Sequence, residues 1–103
     1  MHMAAISDRV FGVINELEQG ETLEAKLTRL AEYEIRRRLA RYQLTDRLFT
    51  HKYGMSLEQF EAQEMVKQFG YSFEVESDHQ DWDLAVDGIR TMQRRLDDLR
   101  DSL

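Results

Sequence analysis

The residues best able to do chemistry are the carboxylates between Glu74 and Asp87. Glu74, Glu76, Asp78, Asp81, Asp83 and Asp87 follow one another with no Lys or Arg among them. Oxygen donors at that density suit a divalent cation, but the order D-x-[DN]-x-[DN]-G followed by a distant Glu is absent, so no metal site is expected. Acid/base work would need two carboxylates in unlike surroundings, and nothing here supplies a pocket. Two readings remain. The acids either form a solvated helix start, placed to favour the positive end of its dipole, or a docking surface for a basic partner protein. For the second reading the candidate contact residues are Tyr71, Phe73, Val75, Glu76, Asp78, Asp81, Trp82 and Asp83, because large aromatics ringed by charge supply interface energy and steering.

Other chemistry is thinly provided. His2, His51 and His79 are scattered, and the chain has no cysteine, which removes disulfides, thiolate nucleophiles and Cys-based zinc sites. Gly20, Gly54 and Gly70 stand alone as helix ends and build no phosphate loop. Serines and histidines form no triad. No catalytic residue and no cofactor is therefore expected, and the chain is not expected to be an enzyme. Arg36, Arg37, Arg38 and Arg41 are the candidate nucleic-acid contacts, but Glu32 and Glu34 lie four residues before Arg36 and Arg38 and can satisfy much of that charge along a helix. The helix-turn-helix signal over residues 7–41 is weak, since Thr22-Leu23-Glu24-Ala25-Lys26 is an unusual opening for a reading helix.

These groups must be carried by helices. The chain has 103 residues, no proline, 42% hydrophobic and 33% charged residues, which suits one helical domain spanning residues 1–103. Met1-His2-Met3 resembles a cloning remnant, no apolar run approaches a membrane span, and a cytoplasmic location is expected. Charge is uneven: 9 basic against 8 acidic residues up to Tyr53, then 5 against 12, giving +1 and −7 for the two parts and −6 for the whole. The acidic second part repels phosphate and favours a basic protein.

Along the chain, Ser7 caps a short helix with Val10, Phe11, Ile14 and Leu17 on one face, and Gly20 stops it. Thr22 caps a second helix of about 32 residues that runs to Gly54. Ser56-Leu57-Glu58-Gln59 is a capping box, with Met55 and Phe60 placed for a hydrophobic staple; that third helix runs to Gly70, with Tyr71 set to contact Val66 in a Schellman motif. Tyr71, Phe73 and Val75 then alternate with Ser72, Glu74 and Glu76, the pattern of an extended segment, which serves either as a connector or as an edge that pairs with another chain. Ser77-Asp78-His79-Gln80 offers another capping box before the final helix. There Trp82, Ala85, Ile89, Met92, Leu96, Leu99 and Leu103 are separated by 3, 4, 3, 4, 3 and 4 residues, a heptad seam. Ala85, Ile89, Met92, Leu96 and Leu99 are the candidate self-association residues; the alternative is a hairpin against the long helix of the same chain. The expected fold is all-α, with one long helix, one short extended segment and a C-terminal heptad helix, assembled as a homodimer.

The stretches His51-Lys52-Tyr53-Gly54-Met55-Ser56-Leu57-Glu58-Gln59-Phe60 and Gly70-Tyr71-Ser72-Phe73-Glu74-Val75-Glu76-Ser77-Asp78, with Asp81-Trp82-Asp83 and Asp87-Gly88-Ile89-Arg90, resemble short prokaryotic antitoxins of toxin-antitoxin modules. The similarity covers about half the chain. It implies a small helical protein, often dimeric, that occludes a surface of a basic, ribonuclease-like toxin and sometimes represses its own operon. The alternatives from other classes are a structural coiled-coil oligomerisation module and a DNA-binding transcriptional regulator.

Overall fold

The computed structural model describes residues 7–17 and 22–101. They form α1 (Asp8–Leu17), α2 (Leu23–Tyr53), α3 (Leu57–Ala62), α4 (Met65–Gln68) and α5 (Phe73–Asp101), with no strand among the described residues. The all-α expectation holds. Gly20 as a stop, Leu103 in the seam and the Met1–Met3 remnant lie outside the described residues. The chain divides into two compact units, Met1–Glu34 and Ile35–Leu103.

In the first unit, Ser7 and Thr22 cap as their residue types dictate. Ser7 Oγ accepts from the Val10 N–H at 3.2 Å and Thr22 Oγ1 from the Ala25 N–H at 3.0 Å. Lys26 Nζ donates to Asn15 Oδ1, tying the start of α2 to α1. None of the α1 residues is buried.

The second unit holds the core. Its centre is Leu57, Phe60, Val75 and Trp82, with Phe49, Tyr53, Met55, Met65, Val66 and Val86 packed around them. Here α5 runs antiparallel to α2, since Lys52 meets Glu74 and Asp78, Phe49 meets Trp82, and Tyr42 meets Gly88. Over Trp82 to Gly88, therefore, the heptad seam closes against the long helix of its own chain.

Between these helices the backbone turns on the caps read from the sequence. Gly54, at φ +69°, ends α2, and the Ser56 capping box is complete: Gln59 N–H donates to Ser56 Oγ at 3.1 Å, and Ser56 N–H donates to Gln59 Oε1 at 3.0 Å. The Schellman turn is also present, with Tyr71 N–H donating to the Val66 carbonyl and Gly70 N–H to that of Lys67, both at 2.9 Å.

Two expectations are corrected. The single helix expected from Ser56 to Gly70 is broken at Glu64, which adopts a left-handed φ of 50° between α3 and α4. In a continuous helix Met65 and Val66 would point about 140° and 240° away from Phe60; the break turns both back onto the core that Phe60 fills. The extended segment at residues 71–76 does not form, because α5 already starts at Phe73. Ser72 is its cap, accepting from the Val75 N–H through Oγ at 3.3 Å and from the Glu76 N–H through its carbonyl at 3.0 Å. The second capping box at Ser77–Gln80 consequently lies inside the helix. The apparent period of two was short enough to fit a helix start, where Val75 turns inward and Phe73 outward.

Candidate interaction surface

The acidic run is divided by the helical period. Once residues 73–87 are helical, each residue turns about 100° from the one before, and the candidate contact residues separate into an inner and an outer set.

The inner set is used by the fold. Trp82 is wholly buried: its ring stacks on Tyr53 at 5.8 Å between centroids, meets Phe60 at 5.3 Å and Phe49 at 5.7 Å, and its Nε1–H donates to Asp46 Oδ1 at 2.8 Å. Trp82 and the buried Val75 are thus core residues, which corrects their assignment as partner contacts. Asp78 accepts from Lys52 Nζ at 2.5 Å and from the Tyr53 hydroxyl at 2.6 Å, and Lys52 also pairs with Glu74 at 2.8 Å. This clasp joins the end of α2 to the start of α5.

The clasp shifts its own members. Burial by itself would raise the Asp78 carboxyl, but the hydrogen bonds from Lys52 and Tyr53 outweigh it and hold the group below the usual carboxylate range. Tyr53 is pushed up to about 12, first by burial and then by the bond to Asp78. The Lys52 ammonium is held above its ordinary range by its bonds to Asp78 and Glu74. The signs set a pH window. A depressed carboxyl stabilises the fold above its unfolded value near about 4 and loses that contribution as pH falls, whereas a raised Tyr or Lys stabilises below about 10 and loses it as pH rises. We expect Asp78→Asn to lower Tm by about 5 °C at pH 7, and the gap to the parent chain to close below about pH 4. Thermal melts of both chains across pH measure it.

The outer set is available. Phe73 is 87% exposed, Leu84 67% and Tyr71 59%, while Glu76, Asp81, Asp83 and Asp87 are exposed as well. Phe73 and Leu84 lie on one face of α5, about 16 Å apart along the axis, with Glu76, Gln80, Asp83 and Asp87 between or beside them. Two apolar side chains set in carboxylates can desolvate against a partner while the acids steer a basic one.

Among the candidate self-association residues, Ala85 is buried inside the chain and Ile89, Met92, Leu96 and Leu99 are half-buried. Arg36, Arg37, Arg38 and Arg41 are exposed on α2. Sequence reasoning missed Leu84, because attention to the seam passed over a leucine lying off it. It also missed Asp46, although Tyr42, Asp46, Phe49 and Tyr53 keep the 4, 3, 4 spacing of an inward face, and a lone carboxylate in such a row signals a buried partner.

Among the described residues, no group of three or more His, Cys, Asp or Glu could hold a metal ion, and no helix is long and apolar enough to cross a membrane. Comparisons with protein-family models, with curated proteins and with solved structures find no match to this chain.

Proposed function

We propose that this chain is a non-enzymatic protein-binding protein of antitoxin type, which neutralises a basic, ribonuclease-like partner by covering its surface. The observation that carries the reading is the outer face of α5, where Phe73 and Leu84 stand exposed among Glu76, Asp83 and Asp87. A surface that binds RNA must present positive charge, and a rigid acidic helix face with two apolar anchors is complementary to it. Antitoxin action by occlusion needs no reacting group on this chain. We expect Phe73→Ser with Leu84→Ser to weaken capture of the basic partner by at least about 100-fold with helicity unchanged, and added salt to weaken the parent interaction. Both are measured by titration of the captured partner.

A second reading, self-association, has an observation of its own. Val10, Phe11, Val13 and Leu17 of α1 are all exposed, at 52, 42, 49 and 67%. If a second copy covers them, Val13→Glu turns a dimer into a monomer in sedimentation while the parent chain stays dimeric; a monomeric parent removes this reading.

A further inference from the structure

We propose that the pocket between α3, α4 and α5 receives an arginine side chain of the basic partner, an inference that rests on the partner reading above. The pocket holds about 260 Å³; His79 lines it from α5, and the exposed Tyr71, just before α5, lines it as well. Phe60, Met65 and Val66 give it apolar walls, and Glu61 and Glu64 bring carboxylates to it. The break at Glu64 builds the pocket, since it ends α3 and sets α4 off in a new direction.

One atom in the lining is left unsatisfied. His79 Nε2 is enclosed and has no hydrogen-bond partner, and its nearest carboxylate oxygen, Glu61 Oε2, is 3.7 Å away. The imidazole lies against the Phe60 ring, with centroids 5.7 Å apart. The occupant must answer two carboxylates and an apolar wall. A guanidinium does all of this: it has five N–H donors in one plane, keeps its charge, stacks on aromatic faces such as Tyr71, and is weakly hydrated. An ammonium is a compact, strongly hydrated charge and fits the same wall less well. Lys67 also lines the pocket and competes for the carboxylates, so removing its charge favours the incoming cation.

The test needs no identified partner. N-acetyl-arginine methylamide is titrated into the full chain while the His79 ring and the Glu61 and Glu64 amides are followed by NMR. We expect saturable shifts at all three, with a dissociation constant on the order of 1–10 mM for so small a probe. The lysine analogue should bind at least about fivefold more weakly, Glu61→Gln with Glu64→Gln should weaken the arginine probe about tenfold, and Lys67→Gln should tighten it. Absence of a saturable shift at His79, equal binding of the lysine analogue, or unchanged binding in the double variant at an unchanged Tm would each overturn the proposal. The partner reading fails separately, when Phe73→Ser with Leu84→Ser leaves capture intact, and capture that survives Glu61→Gln with Glu64→Gln overturns the pocket while leaving that reading in place.

Discussion

Trp82→Ala is expected to lower the unfolding free energy by about 3–5 kcal/mol, a large share of the roughly 5–15 kcal/mol a domain has. Three causes add. The indole is wholly buried and touches three aromatic rings, so truncation opens a large cavity at the centre of the core. The ring stacked on Tyr53 also holds in place the residue that hydrogen-bonds Asp78, so the clasp loosens with it. Asp46 meanwhile loses the N–H donor that makes its position tolerable. A finer variant separates these effects. Trp82→Phe keeps most of the volume but removes the donor, and should cost about 1–3 kcal/mol; adding Asp46→Leu should recover part of that, because replacing both partners leaves nothing unsatisfied. Urea unfolding of the four chains gives the comparison. If Trp82→Ala left stability unchanged while partner capture disappeared, Trp82 would be an interface anchor after all, and the inner and outer faces of α5 would have been assigned the wrong way round.

Gly88→Ala should destabilise, although the same change at an open helix position gains about 1 kcal/mol. Gly88 lies within α5, and a Cβ built on it would come within 2.6–2.8 Å of three ring carbons of Tyr42 on α2. That distance is far inside van der Waals contact, so the ring or the helix must shift, and overpacking of this kind costs about 1–3 kcal/mol. The origin of the cost is open to direct test. In a Tyr42→Ala background the obstruction is gone, and Gly88→Ala should become stabilising by about 1 kcal/mol. A stabilising Gly88→Ala in the parent chain would mean that α5 does not pack on α2 as described.

Much of this architecture was legible in the residues. Ser56 with Gln59, Ser7, Thr22, and Gly70 followed by Tyr71 each specify a local hydrogen bond, and a local signal survives whatever the rest of the chain does. What failed depended on longer range. The left-handed turn at Glu64 has no glycine to announce it; it is imposed because Phe60, Met65 and Val66 must reach the same core. The segment from Tyr71 to Glu76 alternates apolar and polar residues, yet Ser72 can cap a helix there, and only the burial of Val75 next to Trp82 decides between a strand and a helix start. The candidate site failed in the same way. Composition located the acidic aromatic stretch, but which aromatics face out depends on the helical phase. That phase assigns Trp82 to the core and leaves Phe73 and Leu84 at the surface. Asp78, counted among the partner contacts, proved to be half-buried and committed to Lys52 and Tyr53, a pairing that joins positions 25 and 26 residues apart in the chain.

The surface reading rests on the outer face of α5, and one comparison tests it most directly. The parent chain and the Phe73→Ser, Leu84→Ser variant are used side by side as baits in extracts of the source cells, with captured chains identified by mass and the fold of each bait checked by circular dichroism. The account expects the parent to retain one small basic protein in stoichiometric amount and the variant to lose it. Equal retention by both baits, or a parent that retains only copies of itself, would contradict it.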